Sequence, residues 1–95
     1  MKLHNRKELQ DFTHDHPDAQ ENINAWVAEI EISEWQSPHE MKQRYPKASI
    51  LGDQQVVFNI CGNRYRLLTL ISYQHGIVLV KAVDIHKKYD KWRIK

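Results

Sequence analysis

His86, Tyr89 and Asp90 stand at positions i, i+3 and i+4, so on a helical turn all three share one side. Lys87, Lys88, Lys91, Arg93 and Lys95 surround them. A carboxylate beside a histidine favours the imidazolium and makes the ring a ready proton donor near neutral pH. A tyrosine hydroxyl next to it can donate to a phosphate oxygen or position it.

Arg64 and Arg66 lie two residues apart and Lys81 follows in a later apolar run. Together with His86 they suit one reaction class. Cutting RNA without a metal requires that the 2′-OH lose a proton, that the 5′ leaving oxygen gain one, and that fixed cations stabilise the crowded phosphorane. His86 suits the acid or base; Arg66, Arg64 and Lys81 suit the charge. The plainer reading is that Tyr89 packs the C-terminal turn on a sheet while the lysines are solvated.

Charge is segregated along the chain. Residues 1–40 carry three Lys or Arg against nine Asp or Glu, a net of −6; residues 41–95 carry 11 against 3, a net of +8, which restores the overall +2. Such a split fits a cationic face for a polyanion or an acidic partner, or simply an acidic helical half seated on a basic sheet half.

Other candidates carry less. His14 and His16 alternate on a helix and diverge, so they make a helix end rather than a metal site, and no metal or cofactor is expected. Cys61 lacks a triad partner. Trp26 belongs to a core stripe, Trp35 anchors the loop after it, and Trp92 suits either base stacking or packing. Gly52, Gly62 and Gly76 punctuate turns and form no phosphate loop.

The elements that must position these groups are legible from spacing. With 95 residues, 41% hydrophobic and 27% charged, the chain reads as one domain over 1–95. It holds no apolar run of membrane-spanning length and no apolar leader after Met1, which predicts a cytoplasmic protein with no membrane contact. Lys2–His4 reads as a short edge strand. Asn5 and Glu8 read as a capping pair for a first helix that buries Leu9 and Phe12 and ends at His16-Pro17. Ala19, Ile23, Trp26, Val27 and Ile30 make the stripe of a second helix, forming a hairpin with the first. Ser37-Pro38-His39-Glu40 is a capping box for a short third helix that stops near Tyr45-Pro46.

After Pro46 the period changes to that of strands: Gln55–Cys61, Arg64–Tyr73 and Ile77–Ile85. A Gly62-Asn63 turn pairs Asn59 with Arg66 and Val57 with Leu68. The apolar set Val56, Phe58, Ile60, Tyr65, Leu67, Thr69, Ile71 and Tyr73 then packs on the helices, leaving Asn59, Arg64 and Arg66 outward. A two-residue His75-Gly76 turn is preferred over a three-residue one because it keeps Lys81 off the helix-packed face. The resulting α+β fold is an antiparallel sheet with helices on one face and a cationic opposite face, closed by a short C-terminal helix from about His86.

The run Val57-Phe58-Asn59-Ile60-Cys61-Gly62-Asn63-Arg64-Tyr65-Arg66-Leu67, followed by His86-Lys87-Lys88-Tyr89-Asp90-Lys91, resembles the HigB-type toxins of bacterial type II toxin–antitoxin systems. The spacing of Trp26, Trp35, Ser37-Pro38 and Ala48-Ser49-Ile50 extends the resemblance over nearly the whole chain. It implies a RelE-like fold and an mRNA interferase, a metal-independent endoribonuclease that cuts mRNA, usually on translating ribosomes. It also implies a HigA-like helix-turn-helix antitoxin whose complex with the toxin represses their operon, the only route to DNA. By motif position, the resemblance makes Arg66, His86 and Tyr89 the catalytic set, with Arg66 on the scissile phosphate. Arg64, Lys81, Lys87, Lys88 and Lys91 then bind RNA. Lys81 stands where relatives often have arginine, and a lysine cannot make the bidentate contact. Lys47 is the remaining candidate for a second proton carrier.

Two other classes fit the same scaffold: a non-catalytic binder of a protein target, and a basic RNA-binding module. A binder needs the basic field but no titrating histidine, so His86 discriminates between them.

Overall fold

A computed structural model describes residues 1–52, 54–62 and 64–85. The elements run β1 (Lys2–His4), α1 (Arg6–Asp15), a 3₁₀ turn (Pro17–Ala19), α2 (Gln20–Ile32), α3 (Pro38–Arg44), β2 (Ser49–Gly52), β3 (Gln55–Ile60), β4 (Tyr65–Ser72) and β5 (Ile77–Ile85). This is an α+β architecture in which three helices pack on one five-stranded sheet of order β1-β5-β4-β3-β2. The expected C-terminal helix from His86 lies outside the described residues. No described helix is long and apolar enough to cross a membrane.

The helix-facing side of the sheet is the one its alternation predicts. Val56, Phe58, Ile60, Tyr65, Leu67 and Ile71 share a core with Leu9 and Phe12 of α1, Ile23, Trp26 and Ile30 of α2, and Met41 of α3. Buried Thr69 belongs to the same side and satisfies its hydroxyl by donating to the Val56 carbonyl at 2.9 Å, as a buried polar group must. The third helix opens as its capping box predicts: the Glu40 N–H donates to Ser37 Oγ at 3.3 Å. The Glu40 carboxylate reaches back one residue further than the usual box, to the Gln36 N–H at 2.9 Å.

Four expectations change. Asn5 does not cap α1 with its side chain; it takes a left-handed backbone, φ 68°, and its amide donates to the Val80 carbonyl at 2.9 Å. Asparagine tolerates that conformation, and the sharp step from β1 into α1 requires it. The sheet is not wholly antiparallel, because β1 pairs parallel with β5, Lys2 opposite Ile77 and His4 opposite Leu79. An extra strand, β2, pairs with β3 through a bulged register that ends at Gly52, φ +92°. Four residues carrying a terminal glycine leave too short a pattern to read as a strand.

The fourth change concerns the β4–β5 turn. Ser72 pairs with Ile77, so the loop is Tyr73–Gly76, longer than either expected turn. The register then shifts between Leu68 and Thr69, whose partners are Ala82 and Val80. Lys81 is the extra residue of this bulge and is exposed. The bulge lets Val80 and Val83 both enter the core while keeping the ammonium in water. Lys81 is off the helix-packed face as expected, by a different device.

Candidate functional site

Arg66 sits on the outward face of β4, between two neighbours fixed by strand register. Asn59 is opposite on β3 and Asp84 opposite on β5. Directly paired residues of antiparallel strands have Cα atoms ~4.5–5.5 Å apart, so these three side chains form one row. The Asp84 carboxylate accepts from the Ile85 N–H at 2.8 Å, and the Arg66 guanidinium donates to the Tyr65 carbonyl at 3.4 Å. The face is therefore less cationic at Arg66 than composition suggests. Above this row the same face turns apolar, with Val57 and Leu68 buried against Leu51 and Ala82.

Arg64 takes a different direction from Arg66. It precedes the first residue of β4, and its N–H donates to the Cys61 carbonyl at 3.2 Å, closing the hairpin turn. Outside the pleat, its side chain is free of the strand's alternation and reaches the helical layer. There the guanidinium donates to Asp18 Oδ2 at 2.8 Å, and the Tyr65 hydroxyl donates to the same oxygen at 2.8 Å. The hydrogen bond from Tyr65, with the help of Arg64, holds the Asp18 carboxyl below the usual carboxylate range. The same bond pushes the Tyr65 hydroxyl up.

Lys81 lies three residues before Asp84, roughly 10 Å up the strand at ~3.3 Å per residue. His86, Tyr89, Lys87, Lys88 and Lys91 lie outside the described residues. The described part of β5 runs to Ile85, the partner of Tyr65, one pair beyond Arg66 and Asp84.

Lys47 approaches this row through its backbone. The loop between α3 and β2 crosses the end of β3, and the Asn59 amide donates to the Lys47 carbonyl at 3.4 Å. A cavity of about 340 Å³ opens there, lined by Tyr45, Pro46, Lys47, Phe58 and Asn59 among others. The loop is braced from within: Lys42 Nζ donates to the carbonyls of Pro46 and Ala48, each at 2.8 Å. Burial pushes the Tyr45 hydroxyl up, with the nearby Glu29 carboxylate adding to it. Arg44, at the cavity's edge, is held by Glu29 through two bonds of 2.6 and 2.8 Å, a bidentate pair. That pair holds the Glu29 carboxyl below its usual range.

Sequence reasoning placed Asn59 beside Arg66 but missed Asp84, Arg44 and Tyr45. The register of β5 would have found Asp84; no local pattern announces that the α3–β2 loop folds over β3. The remaining candidates are structural. Cys61 is half-buried with φ 54°, its sulfur 3.3 Å from the Asn22 amide. The His16 ring stacks on Phe12 at 4.3 Å. Among the described residues no group of three or more His, Cys, Asp or Glu is placed to hold a metal ion.

The sequence profile of the HigB toxins, described as the RelE-like toxic component of a toxin–antitoxin system, matches residues 19–92. The chain belongs to this family. The match runs from the 3₁₀ turn before α2, through Arg66, to the H-x-x-Y-D motif at residues 86–90. Among curated relatives, the HigB mRNA interferase toxin of Escherichia coli K12 is 25% identical over 92 residues, covering 95% of this chain and 88% of that protein. The HigB mRNA interferases of Escherichia coli O157:H7 and Shigella flexneri match over the same span at the same identity. A HigB-family toxin is one half of a pair, the other being its antitoxin.

Proposed function

We propose that this HigB-family chain is an endoribonuclease that cuts mRNA on the translating ribosome. The 2′-oxygen attacks the adjacent phosphorus as its proton is removed, and the 5′-oxygen departs as it receives one. Arg66 stabilises the charge on the phosphorane; His86 is the general acid or base, Tyr89 positions a phosphate oxygen, and Lys47 is the candidate for the second proton carrier. Lys81, Lys87, Lys88 and Lys91 hold the RNA backbone. Arg64 assists through its exposed guanidinium, although Asp18 engages it in the free protein. No bound metal is needed for these roles. The antitoxin is HigA-like, with a helix-turn-helix domain, and the complex represses its operon from within the cytoplasm.

The observation that carries this reading is the row Asn59–Arg66–Asp84, which sets an arginine opposite a residue two positions before His86 in the sequence. Relatives named as mRNA interferases support it. The test is expression without an antitoxin. Growth arrest with truncated transcripts is expected, and in a translating extract a chelator should not protect the RNA. His86→Ala and Arg66→Ala should each slow cleavage by ~10²–10³-fold. Growth arrest with intact transcripts would replace the enzyme by a binder of a protein target. Full cleavage by both variants would move the site elsewhere.

A further inference from the structure

We infer that the cleft between the α3–β2 loop and β3 is a seat for one unstacked nucleobase of single-stranded RNA, read by the side-chain amide of Asn59. The inference rests on the nuclease reading for its ligand class and adds a residue that chooses the sequence.

The cleft has the chemistry of a base. At about 340 Å³ it falls at the small end of ligand sites, which run ~300–1,000 Å³. Its walls are apolar or aromatic: Tyr45, Pro46, Ala48 and Phe58. The Tyr45 ring is fixed by edge contacts with Trp35 at 6.0 Å and Phe58 at 5.1 Å. The loop above is held by Lys42 on two of its carbonyls and by the Ala48 N–H on the Tyr45 carbonyl at 3.1 Å, so little ordering is left for a ligand to impose.

The polar groups converge as a nucleotide requires. Asn59 is half-buried in the lining; its amide nitrogen makes one long bond of 3.4 Å, and no described residue bonds its Oδ1. A carboxamide presents a donor and an acceptor side by side, matching the edge of a base such as adenine. Lys47 stands at the rim with no partner for its ammonium among the described residues, available to a phosphate. Asn59 is the cross-strand partner of Arg66, so a base in the cleft belongs to a nucleotide next to the phosphate that Arg66 would hold. An apolar peptide side chain would use the walls but leave the amide and the ammonium unanswered, which favours RNA as the occupant.

The test uses the full chain and 2′-O-methyl heptamers of A, C, G and U, which lack the 2′-OH needed for cleavage. Their affinities are measured by fluorescence anisotropy at one salt concentration. The expected result is a preference for one base of ~tenfold, the range of a good amide–base pair. Asn59→Ala should reduce the spread to within about twofold, and Asn59→Ser should do the same, with melting curves checking that both variants fold. Lys47→Ala should weaken all four alike and lower the salt slope by about one. The Asn59 side-chain amide resonances should move only with the preferred oligomer. Equal binding of all four by the wild type, or a spread that survives Asn59→Ala and Asn59→Ser, overturns the proposal. Failure of all four to bind also overturns it and makes a protein side chain the occupant. Cleavage is not read in this assay, so the two readings fail separately. A base preference without any nuclease activity would sink the enzyme and keep the seat, whereas cleavage with four equal affinities would do the reverse.

Discussion

Arg64 and Asp18, 46 residues apart in sequence, are joined by a 2.8 Å ion pair that ties the β3–β4 hairpin to the 3₁₀ turn between the first two helices. Tyr65 donates to the same carboxylate oxygen, so one acid anchors two consecutive residues at the turn end of the hairpin. Two of the described ion pairs, this one and Arg44–Glu29, link the acidic first part of the chain to the basic remainder. Part of the charge segregation is thus spent inside the molecule.

The Asp18 carboxyl titrates below the usual range when folded, because the Tyr65 hydroxyl and Arg64 favour its ionised form. Its contribution to stability is therefore complete above the unfolded carboxylate pKa, ~3.9, and is lost as the pH falls through the lower folded value. Melting curves of the wild type and Asp18→Asn should differ at pH 7 and converge in strong acid. A constant difference between pH 7 and pH 2 would show that the ionised carboxylate is not what matters. Arg64→Ala should likewise lower the melting temperature more than it weakens RNA binding.

At Arg66 the shape of the charge matters as well as its sign. Arg66→Lys should recover only part of the activity lost in Arg66→Ala, since an ammonium cannot engage two phosphate oxygens in a planar fork. Single-turnover cleavage with saturating protein separates this from binding, which should stay within a few-fold of wild type because several cations share the backbone. Equal rates for the lysine variant and the wild type would mean Arg66 acts as a simple point charge.

Gly62 adopts φ +68° in the hairpin turn, and a Cβ built there meets no atom within 4 Å. The positive φ, rather than a clash at Cβ, is therefore the cost of a substitution there. Gly62→Val should lose ~1–3 kcal/mol in chemical denaturation, while Gly62→Asn, whose side chain tolerates the left-handed region, should lose much less. Equal losses for the two would point to a steric cause.

Trp26 is 3% exposed, packs edge-on against Phe58 at 5.4 Å, and its indole N–H has no partner among the described residues. Trp26→Ala should cost ~3–5 kcal/mol by opening a cavity between α2 and the sheet. Trp26→Phe should cost far less, since no hydrogen bond is surrendered. A phenylalanine variant as unstable as the alanine one would reveal a bond to the indole.

The parts of this fold that were legible in the sequence are those set by local period. The α2 stripe, the α3 capping box and the 59–66 register each follow from a few neighbouring residues. What was not legible depends on contacts far along the chain. The left-handed turn at Asn5 is chosen by the need to bring β1 beside β5, and the bulge at Lys81 by two valines that both belong in the core. The same division runs through the site. Arg66 follows from strand alternation, whereas Arg64 escapes that rule by standing one residue before the strand. The cleft at Lys47 exists only because a loop from the helical half folds over β3.

The parallel pairing of β1 with β5 has a consequence for when the protein becomes complete. Lys2 and Ile77 are partners, so two residues 75 positions apart must meet before the sheet has its outer strand. Loop closure over such a span is slow relative to local pairing. A chain halted in synthesis before β5 also lacks the partner that β4 needs on that side. Until β5 is in place, Arg66 has neither its cross-strand partner Asp84 nor a complete sheet beneath it.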